Sequence, residues 1–390
     1  MGVRVELISG VEAVSALEWD QLTGDDDPFV EHAFLHALEA SRSVGRGTGW
    51  QPTHVIARDE QGLLGALPLY LKQHSYGEYI FDFGWARAAE RAGIAYYPKL
   101  VAMVPFTPAT GQRVLHRKGA DLAAVTRALA EGIAEAERRF GASSTHVMFA
   151  TELERDALVQ EAGMLPRLSL QFHWHNNGYA SFEQYLERFR SALRKQVRKE
   201  RREVQSHGVE IKVLEGAELS ARDRKALEAF YFDTCHKRGS GPYLTSAFFE
   251  RLGTTLASRV VAVLAYKNGE PIAGTLNFQK GAHLYGRYWG CSEELSSLHF
   301  ECCYYQLIER AIAQKLTRFE AGAQGTHKLR RGLLPAKIYS AHSLQDPRLS
   351  AAVEDFLQQE AIEVGRELAA LTEHGPFHRD GTADHEHKGE

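Results

Sequence analysis

The hydrophobic positions change period often along this chain, and the changes mark out short strands and amphipathic helices. Residues 3–8 alternate apolar and polar, which predicts an opening strand, and the spacing over 11–22 predicts a helix. Asp25-Asp26-Asp27-Pro28 reads as a turn and helix cap, leading into an amphipathic helix through Phe34, Leu35 and Leu38. Strands over 53–58 and 63–71 flank Asp59-Glu60-Gln61-Gly62, a hairpin signal, and a third strand over 79–83 completes a meander. The aromatic- and proline-rich stretch 96–108 reads as a short strand between irregular loops. A helix over 122–140, a strand over 146–149, a helix over 152–161 and a strand over 168–175 follow.

The second half repeats the order. A helix over 246–256 precedes strands over 260–266 and 271–279, joined by Lys267-Asn268-Gly269-Glu270, and a third strand over 283–289 follows at once. Leu63-Leu64-Gly65-Ala66-Leu67 in the first hairpin is echoed by Pro271-Ile272-Ala273-Gly274-Thr275-Leu276 in the second. Helix–hairpin units recur by chance in many folds, but the shared order favours a duplicated mixed α/β unit. The expected organisation is a first domain over 1–170 and a second over 171–346, which carries a basic helix at 188–207. A last helix over 347–371 and a polar tail over 372–390, too poor in apolar residues to order itself, complete it.

Composition narrows the class. The 390 residues carry 46 Lys plus Arg against 50 Asp plus Glu, a net charge of −4, which excludes a wholly cationic nucleic-acid binder and leaves room for a local basic patch. Cys235, Cys291, Cys302 and Cys303 make neither a disulfide framework nor a C-x-x-C zinc site. The start of the chain lacks the basic-then-apolar pattern of a signal peptide, and the longest apolar run is far short of the ~20 residues that span a bilayer. The expectation is a reduced, cytoplasmic protein without membrane insertion.

Three segments carry candidate chemistry. Residues 188–202 hold eight Lys or Arg against one acid, Glu200, and helical spacing puts Arg190, Arg194, Arg198 and Arg201 on one stripe with Lys195, Lys199 and Arg202 beside it. The stripe is either a solvated face or a phosphate grip, in which Arg194, Arg198 and Arg202 would hold a nucleotide-bearing donor or tRNA. The second segment, Leu298-His299-Phe300-Glu301-Cys302-Cys303-Tyr304-Tyr305, opens a helix with Ser296 or Ser297 as N-cap. There Glu301 is either a partner of the helix dipole or, with His299, a general base. His299, Glu301 and Cys303 do not share a helical face, so no metal site is expected. The third segment is Glu320-Ala321-Gly322-Ala323-Gln324-Gly325-Thr326-His327-Lys328-Leu329-Arg330-Arg331-Gly332, where a strand ends in a glycine-rich loop. Backbone N–H groups from Gly322 to Gly325 suit an oxyanion, Lys328 suits a phosphate, and His327 is a further base candidate. The spacing is not that of a Walker loop. The alternative is a loop of solvated charges. An acetyltransferase-type pyrophosphate signature occurs as a string at Arg42–Gly47, but it follows a helix, the wrong context. Arg287–Ser292 has the right context, with Ser at its last position.

The His-Phe-Glu-x-Cys-Tyr-Tyr-type helix, followed by Gly-Ala-Gln-Gly-x-His-Lys-x-x-Arg-Gly-x-x-Pro, resembles the FemAB-like family of predicted N-acyltransferases, associated with peptidoglycan biosynthesis or recognition. The likeness extends to residues 32–38, Tyr96-Tyr97-Pro98-Lys99 and Ser340-Ala341-His342. The basic helix also resembles that of Fem-type aminoacyl transferases. Thr326 departs from the pattern, standing where Glu is expected in many relatives. The resemblance implies an α/β (mixed α+β) fold of two tandem GCN5-related acetyltransferase-like domains, each a mostly antiparallel twisted sheet flanked by helices. It also implies an acyl-CoA or aminoacyl-tRNA donor, with no tightly bound cofactor. The expected function is an acyl- or aminoacyltransferase that makes an amide on a small-molecule or peptide amine, with a cell-wall precursor as candidate acceptor and tRNA as candidate partner. Glu301, His299 or His327 would be the base. The alternative is a binding module that recognises a peptidoglycan precursor or tRNA in the same cleft without turnover.

Overall fold

The computed structural model describes residues 2–239, 241–322 and 325–378. Its strands are β1 (Arg4–Ile8), β2 (Trp50–Pro52), β3 (His54–Asp59), β4 (Gly62–Leu67), β5 (Leu69–Lys72), β6 (Lys99–Ala102), β7 (Leu115–His116), β8 (Ser144–Ala150), β9 (Leu165–His175), β10 (Glu210–Glu215), β11 (Val260–Lys267), β12 (Glu270–Lys280), β13 (His283–Cys291), β14 (Arg318–Glu320) and β15 (Leu334–Leu344). Eleven of them form one sheet in the order β10-β11-β12-β13-β14-β9-β15-β8-β6-β5-β2, and β1-β3-β4-β7 form a second.

The two sheets share one long hairpin. Trp50–Pro52 pair with Tyr70–Lys72 and Val55–Asp59 pair with Gly62–Leu67, while Thr53 N–H donates to Leu69 O (2.9 Å) across the kink between them. Treated as one hairpin, β2/β3–β4/β5 corresponds to β11–β12. Each is preceded by an antiparallel neighbour, β1 or β10. Each is followed by a strand, β6 or β13, that pairs in parallel with the strand after a crossover helix, β8 or β14. The expected duplication is therefore present as one strand order used twice.

The halves then exchange their last strands. β9, from the first half, pairs with β14, and β15, from the second, pairs with β8, while β9 and β15 pair with each other. The boundary expected at 170/171 falls inside β9. The halves also share a core, in which Phe29 meets Phe278 (ring centroids 5.4 Å apart) and Phe34 meets Phe248 (5.9 Å). Glu31 is held at their junction by Arg259 (2.8 Å) and Lys280 (2.9 Å).

Local chemistry explains the clearest elements. The helix Leu122–Phe140 starts at Asp121, whose carboxylate accepts from Ala123 N–H, and ends at Gly141 with φ +62°. Asn268 and Gly269, both at positive φ, close the β11–β12 hairpin as a two-residue turn of that kind requires.

Three expectations are corrected. Residues 79–82 make no strand, and Phe83–Arg91 is a helix. Tyr79 has φ +62°, and Glu78 and Asp82 on either side are drawn inward onto the Lys99 ammonium, so the stretch cannot alternate as a strand does. The third strand of the first half is β6. At the C-terminus the helix runs Pro347–Glu373, and the expected disordered tail is docked through residue 378. Arg190 N–H donates to Pro376 O (3.0 Å) and His378 N–H to Arg188 O (2.9 Å), with Phe377 against Phe189. Residues 379–390 lie outside the described residues. Finally, Ser297 precedes the helix at Leu298 with φ +64° and caps nothing, because its hydroxyl donates to Glu203 (2.8 Å).

Candidate active site at the parting of two parallel strands

β13 and β14 pair only from His283 to Tyr285 and from Arg318 to Glu320. Beyond Tyr285, β13 continues on β12 alone while the chain after Glu320 leaves the sheet, so a V-shaped opening forms between them. A bulge falls at this point. Leu276 pairs with Tyr288 and Asn277 with Gly286, which leaves Arg287 as the extra residue and re-aims the backbone at the opening.

The crossover helix that follows β13 lies over one face of the opening. It begins at Leu298 and widens over Glu301–Tyr305 into a π-helical segment before Gln306–Ala313. Such widened turns change which side chains share a face. His299 packs edge-on against Trp289 of β13 (5.2 Å) and Tyr304 (5.6 Å), with the His327 ring 6.1 Å away. Tyr304 Oη and His327 Nε2 are 2.9 Å apart. Burial, with His327, Arg331, Arg238 and Lys328 adding positive charge, pushes the His299 imidazole down to about 4. Burial followed by Lys328 and Arg331 lowers His327 as well. Both rings are therefore neutral near pH 7.

Lys328 is 2% exposed and its ammonium donates to Gly322 O (2.6 Å), which bridges the two ends of the glycine loop beside Gly286. Burial pulls its amine down to about 8. Gly325, with φ +109°, lies against the His327 ring, where a Cβ would collide. Loop residues 323 and 324, expected to complete an oxyanion site between Gly322 and Gly325, lie outside the described residues.

Glu301 does not join this group. Arg201 of the basic helix Ser191–Ser206 donates Nε to both of its oxygens (3.2 Å each), and Gln306 donates to Oε1 (2.7 Å). Beside it Glu200 accepts from Tyr305 Oη and from Arg331 Nη2 (2.8 Å), and the Arg331 guanidinium lies 3.3 Å over the Phe300 ring. The inner face of the basic helix is thus bolted to the π segment and to the turn Thr326–Arg331. Its outer face presents Lys195, Arg198, Lys199 and Arg202 to solvent, with Arg194 half-buried. Arg198 is paired with Glu183. The structure brings His299, His327, Lys328 and the glycine loop together. It turns Glu301 and Arg201 away from them and leaves Arg194, Arg198 and Arg202 on the outside.

Sequence reasoning passed over Tyr304, Trp289 and Arg331. Tyr304 and Arg331 were within the segments read as chemical, but nothing in their spacing distinguished them from packing or solvated residues.

A duplicated mixed α/β unit whose parallel strands part in front of a crossover helix defines the tandem GCN5-related acetyltransferase class of fold. The model of the FemAB-like family, described as peptidoglycan biosynthesis/recognition, matches residues 10–379, and the chain belongs to that family. Among solved structures it is similar to FemX, at 11% identity and TM-score 0.53, over 90% of this chain and 100% of that one. It is also similar to the C-terminal domain of a putative lysylphosphatidylglycerol synthetase from Agrobacterium fabrum, at 10% identity and TM-score 0.51, over 87% and 95%. A tandem GNAT protein from the clavulanic acid biosynthesis pathway matches at 10% identity and TM-score 0.45, over 89% and 99%. No curated protein matches the sequence significantly. Among the described residues, no helix is long and apolar enough to cross a membrane.

Proposed function

We propose that this protein transfers an acyl or aminoacyl group to an amine, forming an amide, with an acyl-CoA or aminoacyl-tRNA as donor. The observation that carries the reading is the opening between β13 and β14, faced by His299, the Tyr304–His327 pair and Lys328. An opening of this kind admits an extended donor edge-on to the sheet, and the buried Lys328 ammonium supplies charge for a developing oxyanion or a donor phosphate. The Tyr304–His327 pair suits the departing atom, because a hydroxyl held by a neutral imidazole can aim its own proton at the leaving sulfur or oxygen. Glu301 acts as a strut, since both its oxygens are engaged by Arg201. Arg194, Arg198 and Arg202 extend the anion grip for a polyanionic donor outside the opening.

The test is a mass-spectrometric screen of acyl-CoAs and charged tRNAs against primary amines, including peptidoglycan-precursor peptides. A mass gain equal to the acyl group on one amine is the expected result. Stable binding of donor or peptide with no modified amine across the screen would mean a recognition module instead.

A further inference from the structure

The opening has a second face, and it is built differently. On β14, Phe319 packs into the core beneath the crossover helix, so its neighbour Glu320 points to the opposite side of the sheet. On β9, Phe172 and Trp174 join that same core, so Arg167, Ser169, Gln171 and His173 share the face of Glu320. Over Arg167, Ser169 and Gln171 that face is covered by residues 79–81 and by the helix Pro347–Glu373. A cavity of about 210 Å³ lies there, lined by Tyr79, Phe81, Phe149, Ser169 and Gln171, with Glu367 and the Arg167–Glu360 ion pair (2.7 Å) at its side.

We propose that Glu320 is the base that takes the proton of the acceptor ammonium, and that the acceptor reaches the opening from the sheet face opposite the donor. The inference rests on the transfer reading above. Glu320 is the last paired residue of β14, so its carboxyl stands where β13 and β14 part. Its Oε2 accepts from Thr110 N–H (3.1 Å). Its Oε1 is buried and makes no hydrogen bond, lying 3.2 Å from Arg318 Nε without hydrogen-bond geometry. A buried carboxylate oxygen left without a donor is costly unless something else fills the position. A polar line joins it to the cavity, for His173 Nε2 is 3.7 Å from Glu320 Oε2 and 3.4 Å from Gln171 Oε1.

The aromatic wall of the cavity is held in costly backbone conformations. Tyr79 and Phe149 both have φ near +60°, as does Phe106, which stacks on Tyr243 (4.7 Å) and accepts from Arg287 at the bulge. Bulky residues avoid this region, and two of the three, Tyr79 and Phe149, line the cavity, while Phe106 packs in the core beside it.

The surroundings tune the carboxyl toward proton uptake. Burial is the largest influence and pushes Glu320 up to about 7. Asp27 adds to the rise, and Arg318, Thr110 N–H and Arg113 oppose it. Arg113 is itself held by Asp27, Met148 O and Ala109 O. Tyr285, across the strand pair, stays protonated, and burial keeps His173 neutral. An ionised Glu320 takes one proton from R–NH₃⁺. The freed amine nitrogen bonds to the donor carbonyl carbon, and the carbon–sulfur or carbon–oxygen bond of the donor breaks. The second nitrogen proton ends on the departing sulfur or oxygen, relayed by Tyr304, whose hydroxyl gives its proton to the leaving atom and recovers one from the nitrogen. The proton on Glu320 passes to water once the amide product has left.

The test uses the full chain with the donor and amine found in the screen. E320Q is expected to lose ~10²–10⁴-fold in kcat/KM, with the loss of rate below pH 7 abolished and donor affinity and melting temperature unchanged. E320D keeps the acid limb with a smaller loss. Full activity with an unchanged acid limb in E320Q overturns the assignment and leaves the transfer reading intact, whereas no turnover by the wild-type protein overturns both. If E320Q folds poorly, the infrared titration difference between the wild-type protein and E320D decides, since burial raises Glu78 to about 7 as well. A protonated buried carboxyl band that vanishes around pH 7 and shifts when the amine is added is expected, and a band indifferent to the amine refutes the role.

Discussion

The Glu301–Arg201 pair offers a direct way to separate a strut from a base. The Glu301 side chain is 5% exposed and that of Arg201 23%. Removing one partner of a fully buried pair costs ~3–5 kcal/mol, because the other charge stays behind unpaired. Here the cost is smaller. Arg201 is partly solvated and retains Glu309 (2.8 Å), and Gln at 301 keeps the shape and one acceptor oxygen. Glu301→Gln should therefore destabilise by about 1–2 kcal/mol. At ~2.1 cal/mol/K of unfolding entropy per residue, 1 kcal/mol is worth about 1.3 °C in a unit of this size, so the melting temperature should fall by about 1–3 °C. Turnover on the amine identified by the screen should stay at the wild-type level. The double variant Arg201→Met/Glu301→Leu removes both charges and should recover most of the lost stability. Thermal melts and initial rates on the same preparations settle the matter. If Glu301→Gln melts like the wild type but loses ~10²-fold or more in rate, the carboxylate is the base and the strut reading is wrong.

Two further outcomes follow from the same geometry. Changing Arg194, Arg198 and Arg202 together to Gln should leave melting nearly unchanged, since exposed pairs such as Arg198–Glu183 contribute ~0–1 kcal/mol. It should flatten the log–log salt dependence of aminoacyl-tRNA binding by about two units, at ~0.7–0.9 per lost phosphate contact, and an unchanged slope would show the stripe to be only solvated. The pH profile of kcat/KM should be a bell. Lys328 is charged below about 8 and loses its charge as pH rises through that value. Glu320 is ionised only above about 7, so the plateau lies between the two. Lys328→Arg should move the alkaline fall upward, and a fall that stays near pH 8 in that variant would remove Lys328 from the mechanism.

Local patterning determined much of this protein. The helix Leu122–Phe140 was legible to the residue because a capping Asp, an apolar stripe and a terminal Gly all act within a few positions. The β11–β12 hairpin was legible because Asn-Gly fixes both the turn and the register. The repeat was legible for the same reason, since each copy carries its own turn chemistry. His299, His327 and Lys328 were legible as candidates because loops and helix starts concentrate polar groups that the core would not tolerate. Tertiary structure decided the rest. The exchange of β9 and β15 could not be read, because an alternating strand specifies which face is buried and not which distant strand it pairs with. The partner of Glu301 lies 100 residues away on another helix, and only packing shows that the pair faces away from the opening. Residues 79–82 carry strand-like apolar positions, but the buried Lys99 ammonium pulls the flanking Glu78 and Asp82 inward and bends the chain. Glu320 looked in the sequence like an ordinary strand-end acid. It became distinctive only when folding placed it at the parting of two parallel strands, desolvated, with one oxygen lacking a hydrogen-bond donor.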